Sequence, residues 1–519
     1  MAQRCAMIIQ TLAMLFLFQT SDGIDYGNDI IFTTNLKEVV DYPLQFQYPL
    51  PPWLRGTLVK NGLGRFELGK RKVTNAADAY AKISSWKFSG NGSAYFSTRF
   101  IYSRSYNDSI KLDTIAPYQM IQNPDPPFNT VEQIEQIRNG PDNMNINVHN
   151  YFDNKMNSSH YVAVNDYWRF YEFDPLKMST IAFEDPPIPG ADPIDSIVIL
   201  GTAHPLPEYN SSNHITIVSL VNLVPALKSH LKIFRILSPV ERELIADIDM
   251  DKIPYMHSFG VSSNYAVLFA QPFFVTPYKL IIDHNPFDIF DWEPDVITKV
   301  YIVDLKSGVV KLLKTENMFF FHVVNAYEVG KSQIVVDIST FPDPSGIRSL
   351  DMKTLKNATA RAQFKRALLK RYTIDLETDD IDVYAYECSA DIPFCNALDF
   401  PVINENYRYH KNCFVYGIVD NYDGQDQLHM ALVKKDLCTG THDKFWLIDG
   451  HYLSEPFFVS KLEAMEEDDG ILLMPVLDAV NKRSYFAIFD AKDLTMINKV
   501  DLPINNPFYT HGTFFKDLL

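Results

Sequence analysis

Short runs rich in β-branched and aromatic residues recur along the chain, with polar turns between them. His214–Val221, Tyr265–Ala270, Val296–Leu305, Ser332–Ile338, Gly470–Leu477 and Ser484–Phe489 are examples. Runs of this length and composition predict strands. Helical patterns are few, and Ala360–Tyr372 (ARAQFKRALLKRY) is the best candidate for a helix. One feature repeats: a strand ends in Asp and a turn follows, at Asp174, Asp304, Asp436 and Asp490. The first three are 130 and 132 residues apart, which reads as paired units of about 65. That period suits β-propeller blades with long loops, although Asp is also common in turns of any kind. A propeller needs no linkers, because each blade needs its neighbours to bury both faces.

Composition narrows the class. The chain has 519 residues, 46% hydrophobic and 21% charged, so it can bury a large core and is not mainly disordered. Aromatics at 13% favour strands. Lys plus Arg against Asp plus Glu gives 47 − 64 = −17, a charge that repels a phosphate backbone and argues against nucleic acid as partner.

At the N-terminus, Arg4 precedes an apolar stretch, Ala6–Phe18, broken only by Gln10 and Thr11. It is too short for the roughly 20 residues that cross a bilayer. With the small residues Ser21 and Gly23 behind it, it predicts a secretory signal peptide over 1–23 and one mature domain over 24–519. A secreted or lumenal location follows, and a cytoplasmic one if the segment is not a signal. Sequons at Asn91, Asn107, Asn157, Asn210 and Asn357 agree with the secretory route. Cys5 leaves with the signal. Cys388, Cys395, Cys413 and Cys438 remain, as two disulfides or as four buried thiols.

Four histidines stand in small or apolar surroundings: His204 (GTAHPLPE), His257 (YMHSFGV), His322 (FFFHVVN) and His511 (FYTHGTF). They are 53, 65 and 189 residues apart, the last near three units of 63. One imidazole per blade at one level of the innermost strands would converge on a propeller axis. Such a set, without cysteine, suits Zn, Cu, Fe or Ni; a His beside Phe is otherwise usually a satisfied core residue.

These contexts resemble the carotenoid cleavage oxygenase family almost end to end. The match runs through Arg55–Gly69 (RGTLVKNGLGRFELG), Asn123–Phe128 (NPDPPF), Thr202–Leu206 (TAHPL), MHSFG with Asn264 and Tyr265 after it, and Phe321–Glu328 (FHVVNAYE). Ser454–Gly470 (SEPFFVSKLEAMEEDDG) and the terminal THGTF complete it. The SEP and EEDDG motifs are most like the animal branch, which includes β-carotene oxygenases and the retinoid isomerohydrolase.

The resemblance implies an all-β, seven-bladed β-propeller with helices and loops capping one face over the metal site. It implies Fe(2+) held by His204, His257, His322 and His511. Behind the imidazoles the family places three glutamates; Glu455 matches one, and Asp166 and Asp399 match the others. Asp is one methylene shorter, so Asp166 and Asp399 are expected to reach their imidazoles at longer range or through water, and Glu455 directly. Ala79, where relatives carry Gly, is a second departure. The implied activity is cleavage of a C=C bond of a carotenoid or apocarotenoid with O2, giving carbonyl products. The alternatives are a retinoid isomerohydrolase of the same fold and a secreted, non-catalytic propeller that binds an apolar ligand. Residues 272–292, with Phe273, Phe274, Tyr278, Leu280, Ile281, Ile282, Phe287 and Trp292, match the family's peripheral membrane patch, or else pack against the next blade.

Overall fold

A computed structural model describes residues 27–519 except 191–195, 223–226, 277–278, 280–284, 362, 364, 388–393, 395, 422–428 and 517. The strands form a seven-bladed β-propeller. The first blade joins Val39–Leu44, Arg55–Arg65, Tyr80–Ser89 and Ala94–Phe100 to the last strand of the chain, Phe508–Phe515. That last strand is innermost and pairs antiparallel with Arg55–Arg65, Thr57 opposite Phe515 and Lys60 opposite Gly512. The two ends of the chain thereby close the ring. The other six blades follow in order over 147–184, 196–250, 260–315, 319–385, 399–446 and 451–501.

The Asp repeat is structural. Asp174, Asp304, Asp436 and Asp490 each end the third strand of a blade, in the second, fourth, sixth and seventh blades. Their carboxylates accept backbone N–H groups of the turn that follows, such as Leu176 and Lys177 for Asp174 and Lys306 and Ser307 for Asp304. Asp375 does the same in the fifth blade.

The core lies between blades. Val267, Phe269, Val300 and Ile302 of the fourth blade pack on Phe320, Val336, Ile338 and Tyr372 of the fifth. Burying such a side chain fully is worth about 1.5–3 kcal/mol.

The helix expected over Ala360–Tyr372 does not form. Ala358–Arg361 makes one helical turn, and Leu368–Asp375 is a strand paired on both edges, with Gln333–Phe341 and Ile381–Ala385. Leu369, Tyr372 and Ile374 are buried, and Arg371 is held by Asp337 on the neighbouring strand. Two ladders and inter-blade burial outweigh the local preference for helix.

Helices Arg104–Leu112 and Thr130–Asn139 belong to the long excursion between the first and second blades. Its segment 115–123 is anchored by Asp78, whose buried carboxylate accepts the backbone N–H groups of Met120, Ile121 and Gln122. Ala79 has φ −66° and ψ 144°, a conformation any residue adopts, so glycine is not needed there.

Among the described residues of the expected membrane patch, Phe273 and Phe287 are buried, packed on Tyr255 and Phe290, and Phe274 and Trp292 are partly buried. Tyr278, Leu280, Ile281 and Ile282 lie outside the described residues. No helix among the described residues is long and apolar enough to cross a membrane.

Cys413 and Cys438 form a disulfide, and Cys388 and Cys395 lie outside the described residues. Four free thiols are thereby excluded.

Candidate metal centre

Each blade contributes one group to the axis. His511 comes from the closing strand of the first blade and His322 from the innermost strand of the fifth, Phe319–Val329. His204 follows the Ser196–Leu200 strand of the third blade, and His257 sits in the segment leading into the fourth. The remaining blades supply carboxylates: Asp166 from a loop of the second, Asp399 from the innermost strand of the sixth, and Glu455 from the seventh.

The four imidazoles converge, with one ring nitrogen from each lying within 4.8 Å of the others. The Nε2 atoms of His204 and His257 are 3.0 Å apart, and those of His322 and His511 are 3.2 Å apart. Three of the Nδ1 atoms face carboxylates: His257 to Asp166 at 2.5 Å, His322 to Asp399 at 2.6 Å and His511 to Glu455 at 2.7 Å. Each Nδ1–H donates to its carboxylate, which leaves the lone pair on Nε2, directed inward. The His322 and His511 lone pairs then face each other with no proton between them, an arrangement a shared cation resolves. Two imidazoles bound at about 2.1 Å and at a right angle have their nitrogens about 3.0 Å apart. The donor set therefore fits a metal ion.

Asp166 and Asp399 contact their imidazoles directly, against the expectation of longer range or water. The backbone makes up the missing methylene. The Asp166 loop is clamped to the segment that carries His204: Gly201 N–H donates to the Asp166 carbonyl at 3.0 Å and Ala203 N–H to its Oδ1 at 3.0 Å. A Cβ on Gly201 would lie 3.0 Å from the Tyr167 carbonyl, so glycine permits this approach. Asp399 lies at a register shift, paired with Ile418 while Val402 pairs with Tyr416, and the next residue, Phe400, has φ +51°. An extra residue in a strand bends it and re-aims its side chains.

Electrostatics favours the neutral form of His204 and His511. Burial lowers His511 to about 4 even though Glu455 raises it, and burial with the neighbouring imidazoles takes His204 well below its ordinary value. Burial pushes the Glu455 carboxyl up, but Lys60 and His511 beside it outweigh burial and hold it below the usual range. The Asp166 Oδ2 also accepts the Tyr255 hydroxyl at 3.1 Å. Thr202 Oγ1 donates to the His257 carbonyl at 2.5 Å and accepts the His204 N–H at 2.9 Å, fixing the spacing of the two segments. Sequence reasoning missed Lys60, Tyr255 and Thr202. Lys60 carried a signal, as a lone charge inside the apolar TLVKNGLG run.

A cavity of about 270 Å³ opens on His257, His322 and His511. Its wall is mostly apolar, with Ile121, Phe287, Phe321, Leu398, Phe400 and Phe508 among its residues. A second cavity, about 380 Å³, reaches His204, His322 and His511 from elsewhere and is lined by His149, His214 and Arg408. An ion held there would be reached from both cavities.

Residues 32–516 match the family model described as retinal pigment epithelial membrane protein. The chain is 24% identical to the mitochondrial carotenoid-cleaving dioxygenase of Mustela putorius furo, over 89% of this chain and 92% of that one. It is 25% identical to the β,β-carotene 15,15'-dioxygenase of Gallus gallus, over 94% of this chain and 98% of that one. A solved structure of cobalt-substituted Synechocystis apocarotenoid oxygenase superposes with a TM-score of 0.78 at 20% identity, covering 94% of this chain and 98% of that one. The chain belongs to the carotenoid oxygenase family and is an enzyme.

Proposed function

We propose that the enzyme is an iron(II)-dependent dioxygenase that splits one C=C bond of a carotenoid or apocarotenoid with O2, each carbon keeping one oxygen in a carbonyl product. The observation that carries this reading is the four imidazoles converging beside a mostly apolar cavity. His204, His257, His322 and His511 would hold the iron. When bound, iron(II) supplies the redox chemistry that activates O2. The protein's own residues do the rest. Asp166, Asp399 and Glu455 fix the tautomer and orientation of three imidazoles. The apolar wall holds the polyene and keeps water out. No acid or base is needed, in keeping with a centre whose carboxylates are all engaged with imidazoles. The relatives' oxygenase activities favour cleavage over isomerohydrolysis. The intact imidazole set argues against a non-catalytic binder.

The same reading includes passage through the secretory pathway. Its support is the Cys413–Cys438 disulfide and the exposure of all five sequon asparagines.

The test is iron analysis of purified protein, followed by incubation with carotenoids, apocarotenoids and retinyl esters under 18O2. About one iron per chain and two labelled carbonyl products are expected. Full activity in His322→Ala or His511→Ala would refute the assignment.

A further inference from the structure

We infer that Lys60 is a positioning residue of the metal centre, acting through Glu455 on His511. This rests on the metal reading above and adds a residue to it.

Lys60 lies in the strand Arg55–Arg65 and its side chain is 0% exposed. Its Nζ is 3.0 Å from Glu455 Oε2, while Glu455 Oε1 accepts the His511 Nδ1–H at 2.7 Å. One carboxylate thus bridges an ammonium and an imidazole. The three residues meet where the ring closes: Lys60 and His511 are on paired strands of the first blade and Glu455 is in the seventh. Gly512 makes room for the lysine stem, since a Cβ there would lie 2.5 Å from Lys60 Cγ.

The comparison with Asp166 shows what Lys60 contributes. Asp166 is fixed by a backbone N–H and a tyrosine hydroxyl besides its imidazole. Glu455 has a longer, freer side chain, and among the described residues its side-chain hydrogen bonds are those to His511 and Lys60. Without Lys60, one oxygen would be unanchored and the carboxylate's charge unbalanced in a buried site. Stability alone does not call for this pair, because apolar replacements of buried ion pairs are often neutral or stabilising. Its worth lies in holding the His511 Nε2 on the axis.

The test uses the full-length, metal-free protein and Co2+ as probe. Affinity is read by chelator competition, ligand geometry by the visible spectrum, and fold by circular dichroism. Lys60→Met is expected to keep the fold, weaken Co2+ binding about 10–100-fold and alter the spectrum. Because Lys60 acts through Glu455, Lys60→Met/Glu455→Gln should bind no more weakly than Glu455→Gln alone. Wild-type affinity and spectrum in Lys60→Met would overturn the inference, as would losses that multiply in the double variant. If Lys60→Met fails to fold, the double variant, which leaves no charge unpaired, decides by the same comparison. His511→Ala separates the two claims. Wild-type Co2+ binding in it sinks the metal reading itself, whereas intact dependence on His511 with no effect of Lys60 sinks only this inference.

Discussion

Asp166→Asn exchanges one carboxylate oxygen for NH2 at nearly constant volume. In the native protein the carboxylate accepts three donors: His257 Nδ1–H at 2.5 Å, Tyr255 O–H at 3.1 Å and Ala203 N–H at 3.0 Å. An amide has one acceptor atom, so its NH2 must face at least one of these donors. The side chain is 2% exposed, so water does not repair the mismatch. A hydrogen bond to a charged group contributes about 1.5–3 kcal/mol, and at about 1.4 kcal/mol per tenfold this corresponds to roughly 10–100-fold in metal affinity. The expected result is a 10–100-fold higher Kd for Fe(II) or Co2+, by chelator competition. Urea melts of the metal-free protein should also show about 1–3 kcal/mol less stability from the orphaned donor. An unchanged Kd in a folded variant would refute the argument that Asp166 sets His257 for the metal.

Three further outcomes are expected. Asp399→Asn should weaken metal binding less than Asp166→Asn, because the Asp399 side chain is 20% exposed against 2% and water can take over part of its role; chelator competition on both variants checks the order. Acid should destabilise the protein partly through His214, which burial and then His149 and Arg408 lower to about 3. The unfolded chain takes up this proton near pH 6.5 and the folded chain does not, so stability present above 6.5 is lost as the pH falls, about 2 kcal/mol by pH 5. Urea melts at pH 7 and 5 should show that slope reduced in His214→Phe. Reducing Cys413–Cys438, which are 25 residues apart, should cost about 3.5 kcal/mol by loop entropy, read as a lower urea midpoint in Cys413→Ser/Cys438→Ser.

The sequence by itself determined the strand-rich character, the Asp-ended repeat and the four histidines. Each is written locally, in residue types that suit strands, turns or metal ligation. It also identified Asp166, Asp399 and Glu455, through motifs rather than periodicity. Tertiary structure decided the rest. Leu368–Tyr372 reads as the end of a helix until two neighbouring strands claim its backbone within the strand Leu368–Asp375. The reach of Asp166 and Asp399 was misjudged from side-chain length, because the distance depends on where the backbone runs: a loop clamped to 201–203 in one case, a register shift in the other. Lys60 met Glu455 and His511 only when strands 395 and 451 residues apart or more closed the ring. Local spacing cannot encode such a meeting, since burial, and with it the need for a buried charge to find its partner, exists only once the blades have packed.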